Sequence, residues 1–454
     1  MTSELEKQDY ATLTADELDA ELKKNPLNID LHRRMFDLRH EQGDELAALA
    51  HMIAAKAIDA YNTSKDGEAA WQLYMVATGY FMKNDYAIAE SWYRLVLMLD
   101  PTIAAVYQNM VVIHLHFGRH EEAEICRARA YQMQRIFIDP ARNPVRQLLI
   151  LCVGRTKGNI PFEVLLSAES SQRIKYIIDY AADSEDGQLP PYDLVFNAIG
   201  EPDVAAPLTD RLERFLTRCT RPVLNHPKYV ARTQRHQLPD LLAGIEHVMV
   251  APCCRIEAGD VSLNQLNDVL SKEHIRFPVL VRPTETHGGQ GMVYCTNREA
   301  ILAQLNSGHV AHYLCGYVDF KSADGFYRKY RIIFVDKQPY VYHLAISPQW
   351  MVHYDTAEML NNPWKIEEEH RFLQDPASVF GAKGMSAIVQ IGQRINLDYA
   401  GIDFTILPDG QLFVFEANAT MLVHRVSNSG VLAHKNFYIQ KIADAFDRML
   451  QRFD

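Results

Sequence analysis

Residues 400–418 read AGIDFTILPDGQLFVFEAN. Two runs rich in β-branched and aromatic residues flank a Pro-Asp-Gly segment, a pattern typical of a β-hairpin. If Asp409 and Gly410 form a two-residue turn, Asp403 lies directly opposite Glu416, with their Cβ atoms about 5 Å apart. The alternative is a three-residue loop with Gly410 in a bulge, which shifts the register by one residue. The register therefore decides whether two carboxylates meet.

A third polar side chain belongs to the same face. Asn418 points to the same side as Glu416, because side chains alternate along a strand. Two carboxylates and an amide oxygen among apolar neighbours are costly to bury unless a hard cation lies between them, and Mg²⁺ prefers oxygen ligands. The residues therefore indicate a magnesium site, with a solvated hairpin face as the alternative.

The bulk composition excludes several classes of protein. The chain has 454 residues, 48% of them hydrophobic, which is ample for two to four globular domains. Its net charge of -11 argues against nucleic acid as the main partner. Seven cysteines without a Cys-x-x-Cys pair suit neither a disulfide framework nor a zinc site. With no apolar run near about 18 residues, we expect no membrane span and no secretion signal, and a cytoplasmic protein.

The first part of the chain, residues 1–141, carries apolar residues at helical spacing, with short breaks at 83–85 and 118–120. Counted from Ala70, a pattern recurs that resembles the tetratricopeptide repeat of about 34 residues. The matching residues are Leu73, Ala77, Tyr80, Ala89, Tyr93, Val96 and Pro101.

Two neighbouring units match this repeat less well. The following one keeps Tyr107 and Ala123 but has Arg127 at an aromatic position, and an earlier one keeps Ala48 and Ala55. The resemblance implies a concave face that binds a peptide or a partner protein. The alternative is that these helices cap the rest of the chain or make it a homodimer.

Beyond residues 142–144 the pattern changes to strands alternating with helices. Strands are predicted in the segments 147–153, 174–178, 193–199 and 221–225, with 162–166 in an intervening segment, which together indicate a small parallel α/β domain. The loop 200–203 follows a strand end, where open α/β sheets place ligands, so it is expected to border a substrate cleft.

Residues 277–294 read FPVLVRPTETHGGQGMVY. A strand delivers Arg282, a glycine-rich loop follows, and a second strand departs. Glycines let backbone N–H groups approach phosphate oxygens, and the arginine supplies a fixed positive charge. The segment is not a Walker A loop, because it lacks the Lys-Ser/Thr ending. The alternatives are a flexible lid or a plain turn.

At this point the chain resembles the ATP-grasp superfamily of carboxylate-amine ligases, because four stretches occur in the family's order. Arg235 stands in place of the first nucleotide-binding lysine, just before a helix that leads to the lid. Residues 277–292 match the second basic residue and the phosphate-covering loop. Residues 314–319 look like the hinge that holds adenine, and residues 401–418 match the metal hairpin.

The resemblance implies a set of site residues and ligands. ATP would bind with Mg²⁺, or Mn²⁺ as an alternative, and Asp324 is an alternative to Asp319 for the ribose. Lys329 and Arg331 share a strand face by alternation, and the family position of Arg331 reaches the γ-phosphate or the acyl phosphate. The implied catalytic residues are Arg331 and Arg282; the nucleotide residues are Arg235, Arg282, His287, Gly288, Gly289, Gly291, Tyr317, Val318 and Asp319; the metal ligands are Asp403, Glu416 and Asn418; the substrate candidates are Lys329, His343, His353, His424 and Arg425.

The sequence departs from the family pattern in three places. Both nucleotide-facing lysines are arginines, which keep the charge but change the geometry. The hinge has Cys315-Gly316 in place of the usual Glu-Gln pair, and Asn418 is followed by ATMLVHR instead of Pro and Gly. These differences leave the acceptor substrate open. Residues 361–380 are polar and interrupted by prolines, which indicates a surface excursion.

The expected architecture is α plus α/β and multidomain, a helical repeat followed by an ATP-grasp fold. The expected activity is ATP-dependent formation of an amide bond between a carboxylate and an amine, free or peptide-bound, through an acyl phosphate. The alternatives are an ATP-grasp phosphotransferase, or a repeat-based adaptor with a degenerate nucleotide site. The predicted domains are 1–141 (helical repeat), 146–231 (pre-ATP-grasp α/β), 232–312 (lid with the glycine-rich loop) and 313–454 (main subdomain with the metal site).

Overall fold

A computed structural model describes residues 10, 12–64, 68–155, 157–284, 286, 288–308 and 310–454. The contacts within the chain divide it into two compact units, one up to Arg135 and one from Ile136 onward. None of the described helices is long and apolar enough to cross a membrane. The helical unit and the mixed-sheet unit follow one another in the predicted order, which confirms the α plus α/β architecture.

Unit 1 consists, in its described part, of helices that pack on their neighbours along the chain. Side-chain caps fix where some of them begin: Thr14 and Glu17 form a capping box, and Asn28 accepts from the Leu31 N–H at 3.1 Å. The helices are α1 Ala15–Lys24, α2 Ile29–Glu41, α3 Glu45–Ser64, α4 Glu68–Met82, α5 Tyr86–Leu99, α6 Ala104–His116 and α7 His120–Met133.

The repeat pattern counted from Ala70 marks the interface between α4 and α5. Ala77 and Ala89 are both 0% exposed, because small side chains let two helix backbones come close. Leu73, Tyr80, Tyr93 and Val96 are also buried. Arg127, at the aromatic position of the next unit, is buried beside Glu124, so an ion pair replaces the expected ring.

Two histidines are buried side by side in unit 1. The Nδ1 atoms of His32 and His51 are 3.0 Å apart, and the His32 Nε2 lies 2.9 Å from the Pro26 carbonyl. Burial, together with the charges on His32 and Arg39, lowers the pKa of His51 to about 3. Both rings are therefore neutral in the folded unit at neutral pH.

We expect unit 1 to lose stability as the pH falls below about 6.5, the pKa of an unfolded histidine. The unfolded chain takes up a proton there, whereas folded His51 does so only near pH 3, so stability is complete above about 6.5 and declines towards about 3. The slope should approach about 1.4 kcal/mol per pH unit for this proton.

The thermal unfolding transition of unit 1, followed across this pH range, measures the effect. His51→Gln should flatten the slope, while the same change at the exposed His40 should leave it unchanged. An equal slope in wild type and His51→Gln would show that His51 is not responsible.

The described residues of unit 2 form three sheets. The first has the order β1-β3-β2-β4-β5, the second β7-β10-β8-β9, and the third β12-β11-β13-β14-β6. The strands are β1 Ile136–Asp139, β2 Arg146–Cys152, β3 Ser171–Ile177, β4 Leu194–Asn197, β5 Val223–Leu224, β6 Val248–Val250, β7 Cys253–Ile256, β8 Val279–Pro283, β9 Val293–Cys295, β10 His312–Gly316, β11 Tyr327–Val335, β12 Gln338–Ser347, β13 Tyr399–Ile406 and β14 Leu412–Asn418.

Helices pack on all three sheets and connect their strands. The helices are α8 Pro202–Ala205, α9 Thr209–Arg218, α10 Pro227–Val230, α11 Leu238–Leu242, α12 Leu263–Lys272, α13 Arg298–Leu305, α14 Pro363–Gln374, α15 Pro376–Ile395 and α16 Lys435–Leu450. The predicted surface excursion at 361–380 is therefore wrong, because α14 and the start of α15 lie there and α14 packs on β12.

The first sheet agrees with the predicted parallel α/β domain in most respects. β2 pairs in parallel with β3 and β4, and β4 with β5. Residues 162–166, the predicted intervening segment between β2 and β3, form turns, and Phe162, Leu165 and Leu166 are buried. β1 pairs with β3, so residues 136–139 belong to this sheet and not to the helical region predicted to reach residue 141.

Candidate active site

Four adjacent strands of the third sheet each place one polar residue in a single row. His343 in β12 lies opposite Arg331 in β11, Arg331 opposite Asp403 in β13, and Asp403 opposite Glu416 in β14. Side chains paired in this way have Cβ atoms about 5 Å apart. The predicted juxtaposition of the two carboxylates is confirmed.

The turn between β13 and β14 contains three residues instead of two. The Leu407 N–H donates to the Gln411 carbonyl at 2.9 Å, and Gly410 has a φ of +86°, a backbone conformation that favours glycine. The two-residue turn is therefore wrong, and the alternative loop with Gly410 in a bulge is right.

A second irregularity restores the predicted pairing. Phe404 lies opposite Val414 and Asp403 opposite Glu416, so the ladder skips Phe415 in a β-bulge. The longer turn and the bulge each shift the register by one residue, and the two shifts cancel at the carboxylates.

Asp403 is held by two cations. The Arg331 guanidinium donates to both carboxylate oxygens, Nε to Oδ1 at 2.6 Å and Nη2 to Oδ2 at 2.9 Å, and the Lys329 Nζ is 3.1 Å from Oδ2. Burial alone would raise the pKa of Asp403, but the charges on Arg331 and Lys329 outweigh it and hold this pKa well below its ordinary value. The side chain is therefore an ionised carboxylate, only 2% exposed at the residue level.

Glu416 has a cation of its own. Its Oε2 accepts a hydrogen bond from Arg235, which lies in a short turn just before α11. Burial opposes ionisation, but the charge on Arg235 lowers the pKa of Glu416 to about 2. Both predicted metal-binding carboxylates are therefore paired with arginines.

Asn418 completes the predicted oxygen set. It lies opposite Gly401, is 6% exposed, and its Oδ1 accepts from the Thr420 hydroxyl at 3.2 Å. Among the described residues no group of three or more His, Cys, Asp or Glu side chains is placed to hold a metal ion, so a cation here would use two carboxylates and this amide. That donor set fits Mg²⁺, provided that the two arginines release the carboxylates.

Arg282 enters the site from β8 in the second sheet. It is 7% exposed and its Nη2 donates to the Thr286 carbonyl and, at 3.2 Å, to the Thr286 hydroxyl. Its Nε has no hydrogen-bond partner among the described residues. Burial and the nearby charge of Arg235 lower the pKa of Arg282 to about 10, so it stays cationic at neutral pH.

The charges around the row do not balance. Four cationic side chains surround two carboxylates. Glu201, whose pKa burial raises to about 7, adds at most one more negative charge, so this largely buried space keeps a positive excess. A buried excess of this kind is costly without an anionic ligand. The set is Arg235, Arg282, Lys329 and Arg331 against Asp403 and Glu416.

A first cavity of about 170 Å³ opens on one side of this cluster. Arg235 and Arg282 line one part of it, and apolar or aromatic side chains line the rest, among them Leu280, Trp350 and Phe413. The predicted residues Tyr317 and Val318 line this cavity. Such a slot, apolar with a basic end, suits a flat ring that carries an anionic tail.

Three predicted nucleotide residues, Asp319, its alternative Asp324 and Gly291, do not join the cavity lining. Asp319 accepts from the Lys321 N–H at 3.1 Å and is exposed, and the alternative, Asp324, is paired with Arg328 at 2.7 Å. His287 lies outside the described residues.

The glycine-rich loop covers the cavity from the β8–β9 side. Gly288, Gly289 and Gly291 have φ values of +62°, +81° and +69°. A Cβ added at Gly289 would lie 2.9 Å from the Met351 Sδ, and one at Gly288 would lie 3.2 Å from the His353 Nε2. Glycine is therefore required here both for backbone conformation and for close packing.

Gly289→Ala should weaken nucleotide binding about tenfold, because a side chain in this backbone region costs about 1–2 kcal/mol and also meets Met351. The dissociation constant of an ATP analogue, measured by titration, checks this. Gly308→Ala is the matched control, since a Cβ there meets nothing within 4 Å. Equal losses in both variants would mean that the loop does not cover the ligand.

A second cavity of about 840 Å³ adjoins the first, and the two share Gly288, Lys329, Asp403 and Glu416 as lining residues. Arg331 and Asn418 also line it. The carboxylate row is therefore the wall between a smaller cavity and a larger one.

Four of the five predicted substrate residues line this second cavity. Its lining includes Lys329, His343, His353 and His424, but not Arg425, whose guanidinium donates to the exposed Gln440 instead. The Nδ1 of His424 is 3.1 Å from the Tyr342 hydroxyl.

His343 stands at the end of the row with an unsatisfied atom. The residue is 8% exposed, and its Nε2 has no hydrogen-bond partner among the described residues. Burial, then the charges of Arg331 and Lys435, hold the pKa of His343 well below its ordinary value, so the ring is neutral. A neutral ring beside a cavity can hydrogen-bond a ligand without adding charge.

The sequence alone did not indicate the buried ion pair behind this cavity. Glu369 in α14 is 0% exposed and accepts from the Lys435 Nζ at 2.9 Å, the Tyr354 hydroxyl at 2.9 Å and the Leu344 N–H at 3.2 Å. Lys435 and Tyr354 line the second cavity. The signal that could have indicated this pair is the carboxylate of Glu369 on the apolar side of an amphipathic helix.

The predicted cleft loop also lies beside the site. Gly158, which lines the second cavity, accepts from the Gly200 N–H at 2.9 Å and the Glu201 N–H at 3.1 Å. A Cβ at Gly200 would lie 3.0 Å from Ala419, just after the metal-site strand. Burial raises the pKa of Glu201 to about 7.

Comparison with known proteins gives no family model and no curated relative that matches this chain. Three solved structures similar to it were described as D-alanine–D-alanine ligase from Bacillus anthracis complexed with ATP, a RimK domain ATP-grasp protein from Sphaerobacter thermophilus DSM 20745, and D-alanyl-alanine synthetase A from Vibrio cholerae O1 biovar eltor.

Each of these structures aligns over nearly its whole length with about two thirds of this chain, but the sequence identities and TM-scores are low. The identities are 11%, 12% and 15%, the TM-scores 0.40, 0.41 and 0.39; they cover 68%, 66% and 66% of this chain and 98%, 99% and 98% of their own.

Proposed function

We propose that unit 2 binds ATP with Mg²⁺ and joins a carboxylate to an amine through an acyl phosphate. The observation that carries this proposal is the excess of buried cations around two opposed carboxylates, placed where two cavities meet. A triphosphate supplies the missing negative charge, and oxygen-only ligation suits the accompanying metal.

In this proposal the adenine lies in the apolar part of the first cavity, near Tyr317 and Val318, and the phosphates extend towards Arg235 and Arg282. Backbone N–H groups of the loop at Gly288 and Gly289 close over them. Asp403, Glu416 and Asn418 would hold Mg²⁺, which would supply charge neutralisation and alignment of the phosphate oxygens.

Binding requires an exchange of partners. Arg331 leaves Asp403 and Arg235 leaves Glu416, and each guanidinium turns to phosphate oxygens, which it can hold in a bidentate manner. The two carboxylates are then free to ligate the metal. The ligand-free ion pairs keep both sets of charges oriented and paired in the meantime.

The second cavity receives the substrates. A carboxylate held near Lys329 and Arg331 attacks the γ-phosphoryl group, the bond to the bridging oxygen of ADP breaks, and the amine then displaces phosphate. The protein contributes charge neutralisation, alignment and exclusion of water. A volume of about 840 Å³ leaves room for substrates larger than single amino acids.

ADP release, screened with amino acids and short peptides singly and in pairs, tests the proposal. We expect release that needs Mg²⁺ and both substrates, with an amide product found by mass spectrometry. A phosphorylated product without an amide would instead indicate a phosphotransferase, and no ADP release with any pair would leave the ligase proposal without support.

A further inference from the structure

Two cysteines face each other across neighbouring strands in the wall of the first cavity. Cys253 in β7 is the register partner of Cys315 in β10, and their Sγ atoms are 2.6 Å apart. Opposed residues of an antiparallel pair have Cα atoms about 4.5–5.5 Å apart, within the range of about 4.4–6.8 Å that a disulfide spans. The pair can therefore be bridged without a change in strand pairing.

The surroundings make the two thiols unequal. The hydrogen bond from Cys253, then the charges of Arg235 and Arg282, lower the pKa of Cys315, whereas burial raises that of Cys253. Cys315 is therefore the better nucleophile, and Cys253 is the partner that can resolve an oxidised sulfur. All four side chains line the first cavity.

We propose that Cys253 and Cys315 form a reversible intrachain disulfide when the protein meets a small hydroperoxide, and that the oxidant reaches them through the first cavity. The dithiol itself does not depend on the proposed function. Only the expectation that ATP blocks access rests on it.

The chemistry balances with the peroxide as the oxidant. The Cys315 thiolate attacks one peroxide oxygen, the O–O bond breaks, and the released hydroxide takes up the thiol's former proton as water, leaving a sulfenic acid. The Cys253 sulfur then displaces the sulfenic hydroxyl, which leaves as water with the Cys253 proton. Two thiols and one hydrogen peroxide give one disulfide and two waters, and added dithiothreitol reverses the result.

Mass spectrometry of the full chain after treatment with hydrogen peroxide tests this directly. The remaining free thiols are blocked, and the chain is digested without reduction. We expect a linked peptide pair joining Cys253 to Cys315, lost in Cys253→Ala and in Cys315→Ala and removed by dithiothreitol. Cys254→Ala is the matched control: Cys254 lies next in the strand, in the apolar cluster of the second sheet, and its variant should keep the link. Absence of the linked peptide in wild type, or its loss in Cys254→Ala as well, overturns the proposal.

Saturating ATP with Mg²⁺ should slow formation of the linked peptide. A separate titration establishes that the ATP binds. An unchanged rate with ATP bound overturns the access route through the cavity. A failure of ATP to bind at all appears in the titration and counts against the proposed function alone, because the dithiol is judged by the linked peptide without nucleotide.

Discussion

Glu416→Gln should reduce ADP release by about 10²–10³-fold while leaving the fold intact. The amide keeps the shape and a hydrogen-bond acceptor for Arg235, so packing changes little, but it removes the charge that ligates the metal. Initial rates at saturating substrates, with thermal unfolding as the check on folding, measure both effects.

Asp409→Asn is the matched control for this variant. Asp409 lies in the exposed turn of the same hairpin, and the same loss of a carboxylate charge there should leave the rate unchanged. Activity near the wild-type rate in Glu416→Gln would count heavily against a metal role for this carboxylate.

Lys435→Met should destabilise unit 2 by about 3–5 kcal/mol, the cost of leaving one partner of a buried pair without its countercharge. Lys435 is 4% exposed and Glu369 0% exposed, so water cannot replace the lost partner. Urea unfolding of the unit 2 transition gives the free energy.

The double variant Lys435→Met/Glu369→Gln should recover much of this loss, because no buried charge then remains. Lys272→Met serves as the control, since the Lys272–Glu273 pair is at the surface and such pairs contribute about 0–1 kcal/mol. A loss in Lys435→Met no larger than that in Lys272→Met would show that the pair does not hold α14 and α16 to the sheet.

The predicted pairing of Asp403 with Glu416 is right, although the turn from which it was counted is wrong. Alternation and β-branched content depend on long runs of residues, and these predicted the two strands but not their register. Turn length and the bulge at Phe415 depend on local backbone choices that composition does not specify. Their two errors cancel, which a count from the turn cannot anticipate.

The region 361–380 illustrates why other elements were missed. In α14 the buried face carries Ile366, Glu369 and Leu373, so a carboxylate interrupts the apolar spacing that marks a helix. Its partner Lys435 lies far along the chain, and only the folded structure brings the two together. The same holds for Arg235 and Glu416, which are in contact although they lie far apart in the sequence.

The direction of side chains at the ends of strands and loops is the other feature that the sequence did not predict. Arg425 follows His424 directly, yet His424 lines the second cavity and Arg425 bonds Gln440. Adjacent residues point to different sides, and a family position alone does not say which of them faces the ligand.

Titration of the full chain with a non-hydrolysable ATP analogue, with and without Mg²⁺, tests the central claim most directly. We predict saturable one-to-one binding that Mg²⁺ strengthens, weakened about tenfold or more in a folded Arg282→Met variant, as expected for loss of a charge-assisted phosphate contact. No binding in the presence of Mg²⁺, or equal affinity in wild type and Arg282→Met, would contradict a triphosphate site at this cluster.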